Sequence, residues 1–231
     1  MKLLAFDTST DQMSIAVQHG STVFEHSSAG GAQASSTMIA AIEALMRQAD
    51  LTYKQLDAIV LGRGPGSFTG LRTACAVAQG LAFGAGIQVL PVDTLLAVAQ
   101  EARMQGATQA HILAVLDARM GEVYANHYEF NSTLRSIDAG YLLKKPQELA
   151  CSNPQTTLLA GNIRPTLNAQ LSADMLALPH LHCLPTARAL LALAPSLMAA
   201  GGLVDAEFAL PLYVRDKVAQ TTAERQAASL T

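Results

Sequence analysis

Charge is scarce in this chain. Only 14% of its 231 residues are Asp, Glu, Lys or Arg, and fifteen basic residues against eighteen acidic ones leave a net charge of −3. A surface that attracts nucleic acid by its own field needs a basic stripe, and none is written here, so any RNA involved is held by something else. Cysteine is scarce as well. Cys75, Cys151 and Cys183 are odd in number, far apart and in no CxxC or Cys/His spacing, which argues against a disulfide framework and a structural zinc and fits a reducing cytosol. The longest apolar stretches, Ala74 to Leu90 and Ala187 to Ala200, are broken by Gln79, Gln88, Pro195 and several glycines, so neither reads as a membrane span. Before Asp7 there is one lysine and then only Leu3-Leu4-Ala5-Phe6, too short for the core of a signal peptide. The expectation is a soluble, cytoplasmic protein. With half its residues hydrophobic it has a substantial buried core, in one large domain or in two of about 100 residues each.

What is present centres on the run Leu61-Gly62-Arg63-Gly64-Pro65-Gly66-Ser67-Phe68-Thr69-Gly70-Leu71-Arg72. Apolar Leu56 to Val60 before it reads as a buried strand, and a helix is predicted from Ser67 to about Phe83. Strand, glycine turn and helix in that order leave amide donors free at a helix start, where the macrodipole also favours an anion. Ser67 is a competent N-cap. Yet five residues separate Gly64 from Gly70, Leu71 stands where a P-loop needs lysine, and the GxGxxG spacing is absent. A phosphate cradle and a plain tight connection both remain open.

Lys2 to Phe6 predicts a first strand ending in the turn formers Asp7-Thr8-Ser9-Thr10-Asp11, followed by strands at Met13 to Gln18 and Thr22 to His26. Asp7 would stand beside a nucleotide's metal or attacking water, or simply close an Asx-turn. A helix from about Ser35 to Ala49, capped by Ser35 or Ser36, carries Met38, Ile39, Ile42, Leu45 and Met46 on one face. The second helix carries Gly70, Ala74 and Ala78 at four-residue spacing beside Val77 and Leu81, a row of small residues that lets another helix approach closely. Both faces pack on the chain's own sheet or meet a partner.

A strand at Ile87 to Pro91 and a helix at Thr94 to Met104 lead to the polar patch Gln105-Gly106-Ala107-Thr108-Gln109, the expected boundary between two halves. Beyond it the opening pattern recurs: an apolar strand from His111 to Leu116, a bend at Asp117-Ala118-Arg119-Met120-Gly121, and a returning strand from Glu122 to Phe130. Further strands are expected at Tyr141 to Leu143 and Leu158 to Asn162, with a short helix at Pro146 to Ala150 between them. His180 and His182 flank Leu181 as a two-histidine site would, but no further ligand is near, so no metal is expected. The helix from Ala187 to Ala200 is expected to be interrupted at Pro195.

Asp7-Thr8-Ser9-Thr10, the glycine block from Gly62 to Arg72, Ala78-Gln79-Gly80-Leu81-Ala82 and Asp117-Ala118-Arg119-Met120-Gly121-Glu122-Val123-Tyr124 resemble the TsaB (YeaZ) family of tRNA threonylcarbamoyladenosine biosynthesis. The resemblance is strong to about residue 130, collinear through Gly161, and returns at Pro211-Leu212-Tyr213-Val214-Arg215. It implies an α/β fold of the actin-like ATPase type (ASKHA, ribonuclease H-like) with two related halves, 1–105 and 106–212, and a tail, 213–231, that can pack back on the first half. It also implies a non-catalytic scaffold that heterodimerises with TsaD, the subunit that transfers threonylcarbamoyl from its adenylate to adenosine 37 of tRNAs reading ANN codons. TsaE joins through the complex, and tRNA is met only indirectly.

The partner face implied is Met38, Ile39, Ile42, Leu45, Met46, Gly70, Ala74, Val77, Ala78 and Leu81, through which the isolated chain would also homodimerise. Asp7, Thr8, Gly64, Gly66, Ser67, Asp117 and Gly161 make up a vestigial nucleotide site. No catalytic residue, metal or intrinsic cofactor is expected, and a nucleotide at the partner interface is left open. TsaD-like chains hold a metal with an HxxxH pair that this sequence lacks, and a histidine common before the first helix in the family is replaced by Gly30-Gly31-Ala32-Gln33. The alternative from the enzyme class is a self-sufficient ATP-binding protein built around Asp7 and Asp117. A protease is excluded by the absence of HExxH and GxSxG.

Overall fold

The computed structural model describes residues 1–31, 34–131, 133–138 and 140–215. The first sheet is laid down by β1 (Lys2–Asp7), β2 (Gln12–His19) and β3 (Thr22–Ala29), an antiparallel meander. After α1 (Ala34–Gln48) the chain adds β4 (Ala58–Gly64), then α2 (Phe68–Ala85) and β5 (Val89–Asp93). Both late strands run parallel to β1, and the strand order is 3-2-1-4-5.

The second sheet repeats that plan. Its strands are β6 (His111–Arg119), β7 (Glu122–Asn131), β8 (Thr133–Ser136), β10 (Thr157–Gly161) and β11 (His180–His182). Their order, 8-7-6-10-11, is the first sheet's order with the same antiparallel and parallel pairings. Short β9 (Leu142–Lys144) pairs with the near end of β7. The recurring strand-aspartate-strand pattern in the sequence is therefore a duplication of fold.

Both sheets are covered on both sides, which is why their central strands read as unbroken apolar runs. The period of two in β1 sorts its side chains: Leu4 and Phe6 join α1 and α2 in one core, while Leu3 and Ala5 face the other way. That other face is covered by α6 (Ala187–Ala199), through Ala187, Leu190 and Ala194. In the second lobe Ile112, Ala114 and Leu116 of β6 meet α3 (Thr94–Met104), and Leu113 and Val115 meet Ile163, Leu167 and Met175. The last group comes from the short helices α4 (Arg164–Leu167) and α5 (Ala173–Ala177) and from Ile163, the residue before α4.

Helices α3 and α6 thus lie together between the two sheets, and packing does not follow a cut at residue 105. Helix α3 is coded in the first half and packs on the second sheet, while α6 is coded in the second half and packs on the first. Apolar contact chooses the sheet, not sequence distance. The expected break at Pro195 is also corrected, because α6 runs through it as one helix. Helix α1 begins at Ala34, so Ser35 and Ser36 sit in its first turn instead of capping it. The stretch Pro146–Glu148 is a single 3-10 turn. No helix among the described residues is long and apolar enough to cross a membrane.

Candidate partner face and interlobe cleft

The β1–β2 bend and the glycine turn, for which a phosphate cradle and a plain connection are both open from sequence, lie together in the structure. Asp7 is 1% exposed, and its Oδ1 accepts from the Ser9 amide at 2.8 Å and the Ser9 hydroxyl at 2.6 Å, which is the Asx-turn alternative. Its Oδ2 accepts from Thr94 Oγ1 at 3.4 Å. Burial pushes the Asp7 carboxyl up from 3.8 to about 6, against the opposing pull of these hydrogen bonds. The carboxylate is consumed within the chain.

So is much of the glycine turn. The Ser67 amide donates to the Ser9 carbonyl at 2.7 Å, and Gly70 N donates to Ser67 Oγ at 3.4 Å, so two amides that would face a phosphate are taken. Thr8 Oγ1 donates to the Gly70 carbonyl at 2.8 Å, and a Cβ on Gly70 would collide with the Thr8 carbonyl oxygen. Buried Gly64 donates its amide to Thr94 Oγ1 at 3.1 Å. Asp7, Thr8 and Gly64 are therefore corrected from ligand groups to the seam between two loops. Gly161 is likewise a packing residue: a Cβ there would collide with the Val115 carbonyl oxygen, and its φ is +144°.

A cavity of about 200 Å³ does open between the lobes, lined by Ser9, Thr10, Asp11, Gly66, Ser67 and Asp117, with Asn162 and Thr166 at its far wall. Of the residues assigned to the vestigial nucleotide site, Gly66, Ser67 and Asp117 line this cavity. Asp117 repeats the Asp7 turn, its Oδ1 accepting from the Arg119 amide at 2.7 Å. Thr10, Asp11 and Asn162 escaped the sequence reading. The duplication was the signal for Asn162, which follows β10 and accepts the Asp117 amide at 2.9 Å. Across the mouth Arg119 Nη2 reaches both oxygens of Asp11, at 2.6 and 2.5 Å. Beside it an apolar cavity of about 200 Å³ lies among Phe68, Met120, Tyr124 and Val214.

A further polar contact lies where Arg63 Nε donates to Asp93 Oδ1 at 2.7 Å within the first lobe and Tyr141 of the second lobe joins that pair. His180 is half-buried and His182 exposed, and burial lowers the His180 imidazole from its ordinary value. Among the described residues no group of three His, Cys, Asp or Glu is placed to hold a metal.

The face assigned to a partner needs the larger correction. Met38 and Ile42 are fully buried, Leu45 and Met46 are 4% exposed, and Ala74 and Ala78 are fully buried, all in the core between the helices and the first sheet. Gly70 is buried as well, Val77 and Leu81 are half-buried, and Ile39 alone of the ten is exposed. The apolar stripe and the small-residue row are how α1 and α2 seat on their own sheet. What faces outward is the opposite side: Ile39, Ala40 and Glu43 on α1, and Thr69, Arg72, Ala76, Gly80, Phe83 and Gly84 on α2. Arg72 is the one charged residue among the eighteen of α2, and Phe83 is 85% exposed. A groove of about 430 Å³ lies between Tyr53, Lys54, Gly80, Leu81 and Gly84.

Two lobes of one repeated topology, flanking a cleft with an aspartate turn on each wall, define a protein of the actin-like ATPase fold. Comparison with known proteins narrows this. The family model described as "TsaD: tRNA N6-adenosine threonylcarbamoyltransferase" matches residues 24–222. The chain is 33% identical to the tRNA threonylcarbamoyladenosine biosynthesis protein TsaB of Escherichia coli K12, over 95% of this chain and 96% of that one. It is 29% identical to the TsaB of Bacillus subtilis, over 76% and 77% of the two chains. Among solved structures, YeaZ from Pseudomonas aeruginosa superposes with a TM-score of 0.83 at 33% identity, covering 92% of this chain and 99% of that chain. The chain belongs to the TsaB (YeaZ) family, and its place is in tRNA threonylcarbamoyladenosine biosynthesis.

Proposed function

We propose that this chain is a non-catalytic scaffold that docks a TsaD chain along the outward sides of α1 and α2. TsaD then transfers threonylcarbamoyl from its adenylate to adenosine 37 of tRNAs reading ANN codons, TsaE joins through the complex, and the tRNA is met through those subunits. The observation that carries this reading is a cost left unexplained inside the monomer. Gly80 and Gly84 lie in the body of α2, where each glycine costs roughly 0.5–1 kcal/mol against alanine. A Cβ at either would meet nothing within 4 Å. Among the described residues nothing needs them small, whereas an approaching helix would. They line the groove, and Phe83, on the same outward side of α2, is an aromatic ring with almost no cover of its own.

Gly80→Arg tests this without disturbing the core. It should leave the melting temperature near that of wild type and weaken pairing with TsaD by about a hundredfold, read by titration calorimetry. Wild-type affinity in a folded Gly80→Arg variant would show that the partner docks elsewhere. In isolation the same groove and the Phe83 knob suit a second copy of this chain, and the variant should shift any homodimer to monomer by sedimentation.

An ATP-binding enzyme is the competing reading, favoured by the cleft with its two aspartate turns. Against it, a cavity of about 200 Å³ is below the roughly 300–1,000 Å³ of ordinary ligand pockets, and Asp7 is occupied. The scaffold reading leaves the partner interface, and not this cleft, as the place where a nucleotide would bind. Equilibrium dialysis should find ATP retained by the pair and not by this chain alone; retention and turnover by the chain alone would restore the enzyme reading.

A further inference from the structure

The last described stretch, residues 204–215, leaves α6 and crosses from the first lobe to the second along the flank of α2. Val204 pairs with Val89, exchanging bonds of 2.8 and 2.9 Å. The carbonyl of fully buried Ala209 accepts from Gln79 Nε2 at 3.3 Å, and the Leu212 amide donates to the Arg63 carbonyl at 2.8 Å. Tyr213 then meets the start of α2. Its ring centroid is 5.3 Å from that of Phe68, its Oη accepts from Arg72 Nε at 2.9 Å, and the Arg72 guanidinium lies 3.9 Å over the Phe68 ring.

Two residues on, Arg215 reaches the second lobe. Its Nη2 donates to the carbonyls of Ala118 and Arg119 at 3.1 and 3.3 Å and pairs with Glu122 at 2.7 Å. The side chain is only 15% exposed. The residues it grips are the tip of the β6–β7 hairpin, where the register slips between Asp117 and Arg119. Arg119 and Met120 there have φ of +64° and +58°, a conformation that L side chains avoid and that persists only when the surroundings over-determine it. Both side chains are exposed, so the hairpin does not secure them by burial. The slip aims Arg119 across the cleft mouth at Asp11.

We propose that residues 204–215 form a coupling strap. Arg215 is the positioning residue that fixes the hairpin tip, and with it the Arg119–Asp11 closure of the cleft. The Phe68–Arg72–Tyr213 stack ties that clamp to the first turns of α2, so a change at this end of the helix is transmitted to the cleft mouth. This coupling belongs to the chain alone and does not depend on pairing with TsaD.

Hydrogen exchange by mass spectrometry on the full chain tests it. Arg215→Ala should speed exchange of the amides at 118–123 by about tenfold or more while those of β1 and β4 stay protected, and Arg215→Lys should recover part of the protection. Tyr213→Ala, which removes a ring 44% exposed and stacked on α2, should speed the same amides by about threefold or more. An unchanged tip in Arg215→Ala would overturn the clamp; an unchanged tip in Tyr213→Ala would overturn the coupling. Should Arg215→Ala loosen the first sheet too, Glu122→Gln, which removes only the charge of the clamp, gives the deciding reading.

Discussion

Ala78→Glu is expected to unfold the chain and not merely to break a complex. Ala78 has no exposed surface and packs in the core that α1 and α2 share with β1, β2 and β4. A carboxylate there has no partner and no water, and forcing extra atoms into a packed core adds strain of about 1–3 kcal/mol on its own. With the charge included the loss should exceed about 4 kcal/mol, a large part of the roughly 5–15 kcal/mol that holds a domain of this size. The variant should melt lower by about 10 °C or more, or be insoluble. Ala74→Arg should behave alike, since its site is equally closed. If either variant kept the wild-type melting temperature, the helix would have to be rotated relative to the sheet.

The Gly80→Arg variant supplies the contrast, because position 80 lies on the same helix and faces open space. Together the two substitutions separate loss of pairing from loss of fold, which a charge placed on the small-residue row cannot do.

Asp7→Asn should stabilise the protein, and by an amount that depends on pH. The Asp7 carboxyl titrates near 6 in the folded chain and near 3.8 in the unfolded one, so the native state binds the proton more tightly. Below about pH 3.8 both states are protonated and burial carries no ionic penalty. As pH rises from there through about 6, the unfolded chain ionises first and stability falls; above that window the buried charge imposes its full cost. A carboxyl raised that far above its unfolded value costs about 3 kcal/mol once it is ionised. Asparagine does not titrate, keeps the Oδ1 that accepts from Ser9, and turns an amide toward Thr94 Oγ1. The stability difference between variant and wild type, read from urea unfolding, should therefore widen by about 3 kcal/mol between roughly pH 3.5 and pH 7. A difference that is flat across that range would mean that Asp7 is ionised without penalty and that water reaches it. Asp7→Ala is a different experiment, since it strands the Ser9 amide and hydroxyl without an acceptor.

The sequence by itself determined the local and periodic features. Alternation and β-branched runs located most of the strands, although β4 and β6 run three or four residues past their expected ends and β8 was not foreseen; Ser67 was legible as the cap of α2, and the recurrence of strand, aspartate turn and strand at residues 7 and 117 disclosed the duplication. Its motifs also pointed to the family. These signals are legible because hydrogen bonding and side-chain periodicity act over a few residues.

Tertiary structure alone decided direction and company. Met38, Ile42, Ala74 and Ala78 form a good contact face on any helical wheel, and whether it meets the chain's own sheet or another molecule depends on where β1 and β4 lie. Helices α3 and α6 change lobes because apolar surface is satisfied by whatever sheet is nearest in space, a relation that sequence order does not encode. Asp7 is a clasp instead of a ligand because the glycine turn closes over it, leaving no room at Gly62 for a Cβ beside its Oδ2. The outward strip on α2 became visible only by subtraction, as the side of the helix that the chain's own core left uncovered.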